Sequence, residues 1–588
     1  MSTDTETPTT PPVRQAQQVD VVVLGSGIGG STVAAILARS GVSVALVDGA
    51  RHPRFALGES TIGETSFLLR QLAERYDVPE LAHVSTSRGL GEHVSRRCGI
   101  KRNFGFVYQR EAMEHEPYEV TQCNVSAGPF GPESHLMRGD VDEYLFHAAV
   151  RYGAVAREGV RVEHVDVRAD GVRVDLAGGE SFEGQYVIDA TGRTSVLANQ
   201  FGLREEPCRF RTDSRTIFTH LRGVKPYDEV DAPSGQPTPW HEGTLHHLFD
   251  GGWLWVIPFD NHEGSESDLV SVGLSLDNAR HPRREGVSAE QEWADFLERF
   301  PSVARQFDGA EPAFPWISTG RTQFSSSRTV GDRWVLMSHA AGAIDALFSR
   351  GMANTMAVIE AFVPKLLAGL ADGDLSAERF EAIDVLNQRI LDNNDKLIAG
   401  SYIAFRDFDL WRAWSKMWFL AWNLGVIRIA GSYYRYLETG DVAELDRLHA
   451  GELPGSFCPE LPSAQEQFDA CFAVMESVER GETAPADAVP QLAFLLGDGE
   501  ASPSPLNLHD VLRRWHDGSS AAQKLVHDWG RTASPQALRP YFAYDRATIA
   551  LAAQKVHSAG ADRVIDLRVP AQGGAPADTA AEAAPARG

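Results

Sequence analysis

Apolar and polar positions change period several times along this chain, and each change marks an element. The run Val21-Val22-Val23, within residues 19–24, predicts a strand buried on both faces. A glycine-rich turn follows, then a helix to about Ser40 that stops at Gly41. A second buried strand, VSVALV, ends at Asp48. This order is a βαβ unit, which demands a parallel sheet with a helical crossover. Residues 160–192 alternate like short strands and close on YVIDATG. Residues 210–324 are also strand-like, with LHHLFDGGWLWVIPF at their centre. A strand-turn-helix pattern returns after Gly331, and from Ser376 onward the period is mostly helical. The predicted architecture is α/β. A Rossmann-like dinucleotide-binding domain (19–205 and 325–375) is interleaved with a β-sheet substrate domain (206–324). A helical C-terminal region follows (376–565). Residues 1–18 are rich in Thr, Pro and Gln and 566–588 in Ala, Pro and Gly, so both ends are expected to be disordered.

Charge narrows the partners. Eighty acidic against 55 basic residues give a net charge of −25, which repels polyphosphate and argues against nucleic acid. No apolar run looks long enough to span a bilayer, and the polar start is not a secretory signal. Five scattered cysteines (Cys98, Cys123, Cys208, Cys458, Cys471) form neither a disulfide framework nor a metal-ligand cluster. The expectation is a cytoplasmic protein with no metal centre.

The first turn carries chemistry. Gly25-Ser26-Gly27-Ile28-Gly29-Gly30 supplies G-x-G-x-x-G at Gly25, Gly27 and Gly30. Gly25 permits the tight turn, Gly27 lets backbone amides reach a pyrophosphate, and Gly30 lets helix and strand pack closely. Amides from Ile28 onward, at the helix start, attract phosphate. Asp48 lies about 20 residues on, where a carboxylate takes ribose hydroxyls.

Arg51, Arg54 and Gly58-Glu59-Ser60-Thr61 come next, and Asp189-Ala190-Thr191-Gly192 supplies a second small-residue turn. This layout resembles the FAD-dependent aromatic monooxygenases and their halogenase relatives, which points to FAD rather than NAD. The resemblance puts Arg51, Ser60, Thr61, Asp189 and Gly192 near the cofactor. Arg138, in MRGDVDEYL, is similar to the family's arginine beside the pyrophosphate. Its other reading is a helix-start ion pair with Asp140 or Asp142.

Residues 253–258, Trp-Leu-Trp-Val-Ile-Pro, match the W-x-W-x-I-P signature of flavin-dependent halogenases at every fixed position. Two tryptophans two apart also suit one face of a core strand. In that family the segment lies beside the flavin as a wall, so Trp253 and Trp255 would keep an organic substrate away and only something small would pass. Lys101, with Phe106 five positions later, resembles the halogenase lysine that follows G-E-S-T. Its other reading is a surface lysine in the basic run Arg96, Arg97, Lys101, Arg102. The segment from Ala341 to Gly351 resembles the one that approaches the flavin ring. It makes Gly342 and Asp345 candidate cofactor residues, and Ser349, Arg350 and Gly351 candidate halide ligands.

Two positions depart from the pattern. Tryptophan halogenases place a glutamate before the serine, whereas this chain has Phe348, as phenol- and pyrrole-type halogenases do. Ser338-His339 stands where relatives show Gly-Asp. Trp411, Trp414, Trp418 and Trp422 recur at helical spacing, on one face, either as core or as an aromatic pocket.

The resemblance implies halogenation of an electron-rich, phenolic ring by FADH2, O2 and chloride or bromide, through hypohalous acid and Lys101, in secondary metabolism. No second nucleotide motif accompanies the first, so a separate flavin reductase is expected. The small aromatic substrate is either free or tethered to a carrier protein. An aromatic hydroxylase or a catalytically silent flavin-binding protein are the alternatives.

Overall fold

The computed structural model describes residues 16–125 and 128–560. The expected disorder at 1–15 and 566–588 lies outside these residues. Val21–Leu24 is fully buried at the centre of a six-stranded sheet. It pairs in parallel with Val44–Asp48 on one side and Tyr186–Asp189 on the other. Val155–Glu158 and Trp334–Leu336 extend the parallel part outward. The helix Ile28–Arg39 is the crossover. Because the strands are parallel, the turns after Leu24 and Asp189 open on the same edge, where a dinucleotide binds in such sheets. The end of the expected leader, within the described residues, is ordered: Gln17–Gln18 pairs with Phe182 and Glu183 at the edge of a four-stranded sheet. Both glutamines are exposed, so composition carried no sign of the pairing.

A nine-stranded sheet forms the second layer. Its middle is Gly252–Pro258, antiparallel to both Thr244–Phe249 and Leu269–Asp277. The expected domain border fails here. Asn103–Tyr108 and Val120–Asn124, assigned to the nucleotide domain by position in the chain, belong to this sheet, as does Trp515–His516 from the C-terminal region. Long-range strand pairing fixes membership in a sheet, and local period does not report it.

The long helices Arg350–Asp372, Ala377–Ala404 and Phe408–Thr439 pack against both sheets' residues. Arg350–Asp372 is in fact long and apolar enough to cross a membrane, but 67% of its apolar window is buried inside the protein. It is a core helix, apolar because it is enclosed. Among the described residues, no group of three or more His, Cys, Asp or Glu could hold a metal ion.

Candidate active site

A cavity of about 1110 Å³ lies between the two sheets. One end is the glycine turn. Gly25 has φ +91°, and a Cβ on Gly30 would lie 1.9 Å from the Gly25 carbonyl oxygen, so only glycine allows this close packing. Gly25, Gly27 and Ile28 line the cavity, with the N-terminus of the helix Ile28–Arg39 directed at it. Asp48 closes this end. Its carboxylate accepts from the Ser26 amide (2.7 Å), the Ala50 amide (2.8 Å) and Arg54 (3.0 Å). Burial alone would raise its pKa, but these donors outweigh burial and hold it below the usual carboxylate range.

Several expected cofactor residues do other work. Arg51 is exposed beside Gly159, and Arg54 lines the cavity instead, with a buried Nε that has no partner. Asp189 is fully buried and clamps its own turn, accepting from Thr191 (3.0 and 2.6 Å) and the Leu197 amide (2.7 Å). Ala190, Thr191 and Gly192 present that turn to the cavity. Thr61 directs its hydroxyl to Glu133 and Ser134, away from the cavity, while Ser60 faces it. Gly342 packs against Leu391 and Phe324. Arg138 forms the ion pair of its second reading, two-pronged with Asp142 (2.8 and 2.9 Å), and also lines the cavity.

The two signature indoles wall the other end. Trp253 Nε1 donates to Asp345 (3.1 Å) and Trp255 Nε1 to Ser271 (3.2 Å). Trp255 fits because its partner in register is Gly273, where a Cβ would lie 2.0 Å from the ring. Asp345 lines the cavity, yet its oxygens are taken by five protein donors: Trp253, the Leu347 amide, Ser214, Ser275 and Tyr402. It anchors the wall.

Ser349, in the left-handed region at φ +55°, starts the helix Arg350–Asp372, and Ser349, Gly351 and Met352 line the cavity. A helix start is a site of partial positive charge. Arg350 is a correction to the halide set, because its guanidinium pairs with buried Glu64 at 2.9 and 3.2 Å. A buried carboxylate needs that countercharge. His339 lines the cavity beside Gly351 and bonds Thr355 at 3.2 Å; the surrounding protein and Arg138 push its pKa down to about 4.

Lys101 is fully buried, which excludes the surface reading. Its Nζ donates to Ser60 Oγ (2.7 Å) and the Thr61 carbonyl (3.0 Å) and stands 3.3 Å from the centre of the Phe104 ring. Burial lowers its pKa well below that of a free lysine, with Glu133 acting the other way. Around it is a box of rings. Phe348 stacks on Trp418 at 5.0 Å, Trp418 meets Phe104 edge-on at 5.0 Å, and Phe106 contacts Trp411 at 5.1 Å. Trp418 also stacks on Trp422 at 5.9 Å. Trp414 leaves the expected common face: it packs on Phe468 and Phe472 and donates to the Leu397 carbonyl. At 100° per residue it falls about 40–80° from the other three, enough to meet a different neighbour. His246, not singled out from the sequence, joins cavity and box, lying 5.6 Å from Trp253 and 4.6 Å from Phe106. Its pairing with Trp255 across the sheet was the missed signal.

The chain is similar to several known proteins. The family model described as tryptophan halogenase matches residues 109–420. Monodechloroaminopyrrolnitrin halogenase of Pseudomonas fluorescens is 42% identical over 535 residues, covering 90% of this chain and 94% of that one. Tetracycline 7-halogenase of Kitasatospora aureofaciens is 44% identical over 472 residues, covering 80% and 85%. The crystal structure of halogenase PltM in complex with phloroglucinol and FAD superposes with a TM-score of 0.81 at 34% identity, covering 84% of this chain and 99% of that one. The cavity fits FAD by its own features: a glycine turn without room for side chains, a helix start, an acid after the second strand and an unpaired Arg54 Nε. The chain belongs to the tryptophan halogenase family of flavin-dependent halogenases.

Proposed function

We propose that this enzyme halogenates a phenolic ring held in the aromatic box, using chloride or bromide. Bound FADH2, together with O2 and the halide, supplies hypohalous acid in the cavity. Gly25, Gly27, Ile28, Asp48 and Arg138 hold the dinucleotide, and the Ser349–Gly351 helix start attracts the halide. Trp253 and Trp255 keep the ring out of the cavity, so that only a small oxidant passes. Lys101 receives it, hydrogen-bonds it and directs it onto the ring carbon.

The observation that carries this reading is the placement of Lys101. It is a buried amine against the Phe104 face, separated from the cavity by Ser60. A phenolic oxygen suits the box because the Trp411 and Trp422 indole N–H groups are buried without partners, and an oxygen can accept from them. The likeness to pyrrolnitrin and tetracycline halogenases supports a role in secondary metabolism. A separate flavin reductase supplies FADH2, and the free thiols of all five cysteines suit a cytoplasmic location.

The test supplies flavin reductase, NADH, O2, bromide and a panel of phenols to wild type and Lys101→Met, with mass spectrometry of the products. Brominated phenol from wild type alone is expected, while both proteins still brominate a small trap for hypohalous acid. Phenol bromination by Lys101→Met at the wild-type rate would remove the lysine from the mechanism. Hydroxylated product would replace the reaction itself.

A further inference from the structure

Lys101 stands at the end of a buried hydrogen-bond chain whose direction is fixed. His135 Nδ1 lies 2.7 Å from the Pro258 carbonyl oxygen, which can only accept, so Nδ1 carries the hydrogen. Burial, assisted by Lys101, pushes the His135 pKa down to about 3, so the ring is neutral and Nε2 is an acceptor. Thr244 Oγ1, 2.9 Å away, therefore donates to Nε2. With its hydrogen used, Thr244 accepts from Ser60 Oγ at 3.0 Å. Ser60, its hydrogen used in turn, presents a lone pair to Lys101 Nζ at 2.7 Å. His135, Thr244, Ser60 and Lys101 are 0%, 1%, 6% and 0% exposed. Thr61 fixes a second N–H of Lys101 through its carbonyl at 3.0 Å. The one remaining position on Nζ is on the Phe104 side, 3.3 Å from the ring centre.

Resting on the reading of Lys101 above, we propose that Pro258, His135, Thr244 and Ser60 are its positioning chain. The chain makes Ser60 an obligate acceptor and turns the third corner of Nζ onto the Phe104 face, the side of the aromatic box. It begins on the proline of the Trp-Leu-Trp-Val-Ile-Pro segment, so one strand carries both the wall and the anchor of the lysine. The charged and titratable groups around Lys101 are Glu133, its partner in strand register, held by Thr61 and Ser66, and the buried His135 and His246.

Thr244→Val keeps the shape and removes both hydrogen bonds; Thr244→Ser keeps them. In the valine variant the Ser60 hydroxyl loses its acceptor and turns its hydrogen onto the Nζ lone pair, which favours the neutral amine. The limb of kcat against pH that belongs to Lys101 is then expected to move to lower pH by about one unit. kcat for phenol bromination is expected to fall on the order of tenfold to a hundredfold with little change in KM, and product per hypohalous acid released to fall with it. Thr244→Ser restores both, and Ser60→Ala moves the limb in the same direction as Thr244→Val. A wild-type limb and kcat in Thr244→Val overturns the proposal, as does failure of Thr244→Ser to restore a lost activity, which makes the site one of packing. Lys101→Met, run alongside, separates the two readings. If it retains phenol bromination, the lysine itself is wrong; if it loses bromination while Thr244→Val matches wild type, only the chain is.

Discussion

Replacing Asp345 separates a structural anchor from a cofactor ligand. Its two oxygens have different partners. Oδ1 accepts from the Trp253 indole and the Leu347 amide, which can only donate. Oδ2 accepts from Ser214, Ser275 and Tyr402, hydroxyls that can turn and accept instead. An asparagine with its oxygen at the Oδ1 position keeps both obligate donors satisfied and gives its amide hydrogens to two hydroxyls. Its cost is the lost charge on these bonds and one unmatched hydroxyl, about 1–3 kcal/mol. A leucine strands the indole and the amide at about 1–3 kcal/mol each, so about 2–6 kcal/mol in all, a large part of the 5–15 kcal/mol typical of a folded domain. The hydroxyls lose less, since Ser275 and Tyr402 already lie 3.1 Å apart and can bond each other. Urea unfolding followed by tryptophan fluorescence, with FAD affinity measured on the folded protein, reads both effects. The expected order is wild type, Asp345→Asn, Asp345→Leu, with affinity in Asp345→Asn within a few-fold of wild type. Unchanged stability in Asp345→Leu, or a collapse of FAD affinity in a stable Asp345→Asn, would refute the anchor and restore the cofactor role.

Arg350→Met leaves Glu64 buried without its countercharge and is expected to cost about 3–5 kcal/mol in urea unfolding. The halide dependence of its rate should match wild type, because the guanidinium faces Glu64; a large rise in halide requirement would return it to the halide site. Gly273→Ala puts a Cβ against the Trp255 ring and should lower stability by about 1–3 kcal/mol and weaken FAD as the indole is driven aside. Wild-type melting and FAD affinity would contradict the packing. Lys416, bonded to His516 and the Arg513 carbonyl, has its pKa lowered by burial to about 7. Its folded pKa lies below the unfolded one, so the unfolded chain binds the extra proton and this lysine's contribution to stability rises with pH from about 7 to its ordinary range. The stability difference between wild type and Lys416→Met, measured across that range, should therefore grow in favour of wild type, and a pH-independent difference would sink the assignment.

Local pattern settled much of this protein. The order strand, glycine turn, helix, strand, acid is a property of neighbouring residues, and the residues it singles out, Gly25, Gly27, Ile28 and Asp48, line the cavity. The Trp-x-Trp pair likewise lies on one strand and faces one way, as alternation requires. Lys101 was legible as a residue type at a known spacing after Gly58-Glu59-Ser60-Thr61. Its burial was not, because that is made by Phe104, Ser60, Thr244 and the distant tryptophans of the helix Phe408–Thr439. The residues misread were charged or polar ones near the motif: Arg51, Thr61, Asp189, Arg350. Sequence gives a charge and a position, but a buried charge is claimed by whichever partner lies within a few ångströms, and that partner comes from elsewhere in the chain. Glu64 claims Arg350 across 286 residues, and five donors claim Asp345. The same holds for the second sheet, whose strands come from residues 103–124, 214–277, 311–318 and 515–516. Short-range periodicity therefore determined the elements and the cofactor turn, and tertiary contact decided which polar groups remained free to do chemistry.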